Sequence, residues 1–334
     1  MVNLFFCIQI QIWSLDKFMS LAKKISLYCV SIFFSTLLSI FALELLVRLV
    51  IDDGFNYELE MMKYAKMKIV KQADEHKVFL HKPNMNEIIM RANIITDNNG
   101  FRYNQQNKNK DILMMLGDSM TFGFGSSYTF SDYIQENLQE KFKVLNTGVG
   151  NTNTKMQEVS FFEFHKNHNP KILILNFFIN DLEDISVNKK NFIKNNFYIF
   201  SYLNYKYNII KLKFSKNLTF SNYYKKTFEN KTNLNQALLS IKKLKIYSEK
   251  NNINFFVHFI PELHKLKDYP FLQEHKIIQN YLSKNDIKYI DGIKYFKDLN
   301  ENELWVSKHD THANEKAHKI MGRYLLNFLE KEIF

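Results

Sequence analysis

The chain has 334 residues, 46% hydrophobic and 15% aromatic, ample for one large core or two small ones, which excludes a generally disordered protein. Its formal net charge is +11, but the lysines are scattered among Asn, Ile and Phe instead of forming a stripe, which argues against nucleic acid as a partner. Both cysteines, Cys7 and Cys29, fall in the apolar N-terminal region, so the rest of the chain has no disulfide and no cysteine-based zinc site to stabilise it.

In chain order, the first strong element is Ile25 to Leu43, which carries no charge and as a helix would span about 28 Å, close to the hydrocarbon thickness of a bilayer. Lys17, Lys23 and Lys24 precede it, so the positive-inside rule predicts a single-pass inner-membrane protein with residues 1–24 in the cytoplasm, a span over 25–47 and the remainder on the periplasmic side. A cleaved signal peptide is the competing reading. The length of the apolar run favours an uncleaved anchor, as does the following Glu44-Leu-Leu-Val-Arg48 with no small residues at cleavage spacing. Met1 to Phe18 is a second apolar stretch interrupted by Gln9 and Gln11, and Met19 is a second candidate for the start of translation.

Residues 48–109 are mixed in composition. A helix-like Tyr57 to Val70 and a weakly patterned approach through His81-Lys-Pro83-Asn84 read as a stalk and a small β lead-in. From residue 110 to 334, five apolar runs of strand length recur: Ile112 to Leu116, Phe142 to Asn146, Ile172 to Phe178, Asn254 to Ile260 and Lys288 to Ile290. Between and after them the pattern predicts helices over Phe130 to Glu140, Thr154 to Asn167, Leu234 to Asn251, Leu272 to Lys284 and Glu315 to Glu332. Leu234, Leu238, Ile241 and Leu244 mark one buried stripe. This alternation predicts an α/β domain with a parallel sheet covered on both faces. His165 and His168 read as solvated helix-end residues with no third metal ligand nearby. Residues 183–233 break the alternation. Their aromatics, Phe192, Phe197, Tyr198, Phe200, Tyr202, Tyr205 and Tyr207, suit a lid, a sugar-stacking surface or a membrane contact, and equally suit ordinary helix packing.

The residues with chemical potential sit where these strands end. Ile112 to Leu116 delivers Gly117-Asp118-Ser119, the loop after the second run is Asn146-Thr-Gly148-Val-Gly150, the third run leads to Asn180-Asp181, and Asp310-Thr-His312 precedes the last helix. In that order the four blocks resemble the SGNH (GDSL-type) hydrolase family. The likeness extends from about Asn98 to Leu326 and includes the lead-in Asp97-Asn-Asn-Gly-Phe-Arg102, common in membrane-anchored members. The resemblance implies a three-layer α/β/α, flavodoxin-like domain with strand order 2-1-3-4-5 and no cofactor. It also implies a serine esterase acting on acyl esters, acetyl esters of envelope carbohydrates among them. An O-acyltransferase to a polysaccharide, or a catalytically idle binder of glycan or lipid, are the alternatives.

Ser119 needs a base to take its proton as it attacks a carbonyl, and His312 is the histidine in a suitable motif. Asp310 is the candidate to orient the imidazole. It lies two residues before His312, whereas the commoner family spacing of three would fall on His309, and a backbone carbonyl is the rival orienting group. The negative oxygen of the tetrahedral intermediate needs donors: the Ser119 N–H, the Gly150 N–H with Gly148 as its rival, and the Asn180 amide. Phe178 stands where the family often has a glycine. His309 and His318 read as surface or supporting residues, and Asp118 as a residue that shapes the turn. Thr121 occupies the place of the second glycine in an α/β-hydrolase elbow, and no Walker loop or dinucleotide fingerprint is present.

Overall fold

The computed structural model describes residues 2–103, 110–187, 196–214 and 220–333. Phe192 and the rest of 188–195, together with 215–219, lie outside the described residues. Helix α1 (Val2–Leu46) is continuous and ends in a π-helical turn, Val47–Ile51. Lys23–Ile51, which runs from α1 through this turn, is long and apolar enough to cross a membrane and is almost wholly unburied by the rest of the protein. Helix α2 (Tyr57–Met67) follows, capped by the Asn56 side chain. Two antiparallel hairpins come next, β1 (Lys68–Ala73) with β2 (His76–His81), and β3 (Asn86–Ile89) with β4 (Ala92–Ile95).

The central sheet contains β5 (Asp111–Leu116), β6 (Phe142–Asn146), β7 (Ile172–Phe177), β8 (Asn254–Phe259) and β9 (Lys288–Asp291), all parallel, in the order β6-β5-β7-β8-β9. This is the 2-1-3-4-5 order. The inner strands are covered on both faces: every residue of Ile172–Phe177 is buried, so a continuous apolar run is required there, not an alternating one, whereas in the edge strand β9 only Ile290 is buried.

The helices are α3 (Ser119–Phe122), α4 (Phe130–Leu138), α5 (Thr154–Ser160), α6 (Tyr198–Phe214), α7 (Phe220–Glu229), α8 (Lys231–Lys250), α9 (Leu272–Lys284) and α10 (Glu315–Ile333). The chain steps one way from β5 to β6 and the other way thereafter, so right-handed crossovers put α4 on one face and α5, α8 and α9 on the other. The packing of α4 on α10, and of α5 on α8, agrees. Helix α4 is held at its start by a capping box between Thr129 and Asp132, a device worth about 1 kcal/mol.

Three expectations need correction. The predicted helix over Thr154 to Asn167 is α only to Ser160, then a π turn over Phe161–His165 and a 3-10 turn over Lys166–His168. His165 is not solvated. It is buried with its ring edge-on to Phe101 at 5.1 Å, and burial lowers its pKa to about 3. The segment read as a stalk packs on the α/β domain: Tyr64, Met67, Ile89 and Ile94 are fully buried in a cluster with Phe122 and Phe124.

Candidate active site

The order reversal in the sheet lies between β5 and β7, where the outgoing chains diverge and leave a crevice beyond the strand ends. Ser119 leaves β5 there and Asn180 leaves β7. The turn after β5 admits only glycine at position 117, because a Cβ would come within 2.0 Å of Thr121 Oγ1 and 2.7 Å of Thr121 Cβ. Asp118 then caps α3, its Oδ1 accepting from the Met120 N–H at 2.9 Å. It is a structural carboxylate, wholly buried. Burial raises its pKa, although bonds from Met120, Asn180 and Ser119 and the nearby His312 oppose the shift.

Asn146 ties the second loop to this turn. Its side-chain amide donates to Thr121 O at 2.6 Å and Ser131 Oγ at 2.9 Å, while its Oδ1 accepts from the Gly148 N–H at 3.1 Å. Gly148 must approach closely, since a Cβ there would lie 2.6 Å from the Phe122 nitrogen. The lead-in joins the same construction: the Arg102 N–H donates to Asn146 O at 3.0 Å, and its buried guanidinium donates to Ser126 O at 2.7 Å.

Asp310 and His312 are carried on a hairpin, β10 (Trp305–Ser307) with β11 (Asp310–Ala313). That explains their spacing: residues i and i+2 of a strand point to the same face. His312 Nδ1–H donates to Asp310 Oδ1 at 2.6 Å, and the His312 backbone N–H donates to the same oxygen at 3.0 Å. The Ser119 hydroxyl donates to His312 Nε2 at 2.9 Å. Residues 193 positions apart thus form a continuous hydroxyl–imidazole–carboxylate chain. Burial opposes charge on His312, but the carboxylates of Asp310 and, more weakly, Asp118 raise its pKa above the ordinary value. Asp310 is lowered: its burial is outweighed by the imidazole and its hydrogen bonds. Such an arrangement can move a proton from an attacking hydroxyl onto the ring and stabilise the resulting imidazolium.

The oxyanion candidates divide. No hydrogen bond among the described residues engages the Ser119 N–H, which heads α3. Asn180 lines the pocket beside Asp118; its side-chain amide donates one hydrogen to that carboxylate and has a second to offer, while its Oδ1 is buried without a partner among the described residues. The Gly150 N–H, by contrast, donates to the Tyr64 hydroxyl at 2.7 Å, and both residues are buried. Gly148 is also committed, to Asn146. The expected Gly150 donor is therefore satisfied within the protein, because α2 brings a tyrosine over the loop from 86 residues away. Tyr64 is the residue that motif reading missed. Its hydroxyl also bonds His81 Nε2 at 2.7 Å. Burial holds His81 well below the usual imidazole range, with Lys68 and Arg102 adding to the effect. Tyr64→Phe is expected to leave the Gly150 N–H buried and unpaired, costing about 1–3 kcal/mol and visible as a lower Tm. An unchanged Tm would mean the contact is not formed.

His309 is exposed at the pocket rim, as expected. His318 is fully buried, its Nδ1 accepting from the Phe130 N–H at 3.3 Å, and so takes the supporting place of the two expected for these histidines. Asp181 is also buried, its Oδ2 accepting from the Phe178 N–H and its Oδ1 from Gln157, so it shapes the turn that presents Asn180. The pocket above Ser119 has a volume of about 330 Å³ and is walled by Tyr57, Phe124, Phe178, Phe220 and Tyr224, with Glu183 and Glu262 among them. Helix α7 of the 183–233 insertion supplies Phe220 and Tyr224, and Glu183 accepts hydrogen bonds from Tyr223 and Tyr224.

A scan against protein-family models gave no match, and a search of curated proteins gave none. Among solved structures, this chain is similar to one from Desulfitobacterium hafniense assigned to the G-D-S-L family of lipolytic proteins, at 15% identity and a TM-score of 0.43, covering 66% of this chain and 99% of that one. It is also similar to an acetylxylan esterase from Geobacillus stearothermophilus, at 14% identity and a TM-score of 0.44 over 67% of this chain and 94% of that one. A third, a two-domain esterase active on acetylated mannans, has 15% identity and a TM-score of 0.40, covering 66% of this chain and 49% of that one.

Proposed function

We propose that the chain is a membrane-anchored SGNH-type serine hydrolase that cleaves acyl esters, acetyl esters of carbohydrate among them, through an acyl-enzyme on Ser119. The observation that carries this reading is the 2.9 Å bond from the Ser119 hydroxyl to His312 Nε2, backed by the 2.6 Å bond from His312 Nδ1 to Asp310. Ser119 Oγ attacks the ester carbonyl as its proton passes to His312. The Ser119 N–H and the Asn180 amide stabilise the oxyanion. His312 returns the proton to the departing alkoxide, then activates water to release the acid. The aromatic walls of the pocket, Tyr57, Phe124, Phe178, Phe220 and Tyr224, suit a sugar ring as the alcohol.

Incubating the anchored protein with acetylated oligosaccharides, with and without an acceptor glycan, tests the reading. Free acetate is the expected product. Transfer to the acceptor would make the protein an acyltransferase using the same serine, and binding without any acetyl loss would overturn the enzyme reading.

The pH profile gives a second check. His312 must be neutral to accept the proton, so kcat/KM falls as pH drops through its pKa. Asp310 and Asp118 raise that pKa despite burial, so the acid limb is expected to have its midpoint above 6.5, the ordinary histidine value. A midpoint clearly below it would remove His312 as the base.

A further inference from the structure

Helix α6 has two apolar faces, and among the described residues only one of them is covered. On the inner face Ile199 clusters with Val47 and Leu59, with Ile51, Tyr198 and Tyr202 packed alongside, and Ser201 Oγ lies 3.6 Å from Met62 Sδ. On the outer face Phe197, Phe200, Leu203, Tyr207 and Ile210 are exposed, by 38%, 43%, 53%, 63% and 55% respectively. Their spacing of three and four residues makes a single stripe along the helix. Single exposed hydrophobic residues need no explanation, but a continuous stripe of five does.

The start of this helix is pinned to the end of α1. Glu44 accepts from the backbone N–H groups of Tyr198 at 3.0 Å and Ile199 at 2.9 Å. Arg48 donates to Asn196 O at 3.1 Å, and its guanidinium lies over the Tyr198 ring at 4.1 Å. These bonds fix the depth of α6 relative to α1. If Lys23 and Lys24 mark one membrane surface, a hydrocarbon core of about 30 Å takes about 20 residues of helix, which from Ile25 ends at Glu44. The carboxylate that caps α6 therefore falls at the opposite edge of the hydrocarbon, where a charged group is tolerated and an amphipathic helix settles. Leu49 and Val50 beside it are 77% and 71% exposed, so the apolar surface continues from α1 onto α6.

We infer that α6 is an interfacial helix, lying along the outer bilayer surface with the stripe from Phe197 to Ile210 in the headgroup–acyl boundary, and so orienting the pocket to the membrane. Helix α2 is the spacer. It meets α6 through Leu59 and Met62 and lines the pocket through Tyr57, Met61 and Tyr64, so the pocket is held about one helix diameter, roughly 10 Å, above the lipid surface. This inference rests on Lys23–Ile51 being an uncleaved span, and the experiment separates the two.

The full chain, with Cys7 replaced by serine, is reconstituted in phosphatidylcholine–phosphatidylglycerol vesicles and labelled with an environment-sensitive fluorophore at native Cys29. In a background also lacking Cys29, it is labelled at Leu203→Cys or at Leu239→Cys, an exposed leucine of α8. Lipids carrying a spin label near the headgroup or near the chain end are the quenchers. Cys29, about 6 Å inside the hydrocarbon edge by this placement, is expected to be quenched by the lipid labels and shielded from an aqueous quencher, and Leu203→Cys to be quenched best from the headgroup region, several-fold more than Leu239→Cys. Quenching of Cys29 alone overturns the interfacial helix and leaves the span standing. A Leu203→Cys label shielded from both lipid and aqueous quenchers means that protein covers the stripe, and also overturns it. A Cys29 label that no lipid quenches removes the span and this inference together, leaving the Ser119 chemistry untouched.

Discussion

Ser119→Ala is expected to abolish ester turnover, by on the order of 10^4- to 10^6-fold in kcat, and to eliminate labelling by a serine-directed fluorophosphonate. The substitution removes one oxygen whose partners are the His312 ring at 2.9 Å and, weakly, Asp118 at 3.4 Å. Both have other anchors: Asp310 holds the ring, and the Met120 N–H holds Asp118. The fold should therefore survive with its Tm nearly unchanged, and lost activity will report on chemistry instead of unfolding. Labelling of the alanine variant at the rate of the parent protein would refute Ser119 as the nucleophile.

Asp310→Asn is expected to lower kcat by on the order of 10^3- to 10^4-fold while leaving shape intact. The carboxylate accepts from both the Nδ1–H and the backbone N–H of His312 through a single oxygen, Oδ1. An asparagine can preserve the backbone bond, but it presents no negative charge to an imidazolium and allows the ring to take the tautomer whose Nε2 carries the proton. Removing the charge that raises His312 should also move the acid limb of kcat/KM to lower pH, a displacement that a loss of packing would not produce. A rate within about threefold of the parent with an unmoved limb would mean that another group orients His312.

The inner strands of the sheet were legible in the sequence because they are buried on both faces. A fully apolar run bounded by turn residues has few other places to go. Phe142 to Asn146 and the helix Leu272 to Lys284 have the predicted ends, and the remaining strand ends differ by at most one residue. The break of the helix beginning at Thr154 was hidden because π and 3-10 turns share the apolar spacing of an α-helix over so few residues. Of the site, Ser119, Asp310 and His312 could be named because each sits in a short local motif. The two-residue spacing of Asp310 and His312 departs from the commoner family pattern, and the hairpin shows how it still works: both side chains lie on one face of a strand. Tyr64 carried no signal at all: a tyrosine in an amphipathic helix far upstream reads as core, and core is most of what it is.

Burial pattern over a few neighbouring residues specified the strands of the sheet and most of its covering helices, and the four short blocks that resemble a known family named the hydroxyl, imidazole and carboxylate that meet at the site. Only the tertiary structure decided which N–H groups stay free for a substrate oxygen. The Gly150 donor is withdrawn by a phenol that arrives from 86 positions away, and hydrogen-bond saturation is a property of the packed whole. The same holds for the helix from Tyr198. Its apolar spacing can be read from the chain, but which of its two faces stays uncovered depends on Glu44 and Arg48 gripping its first turn.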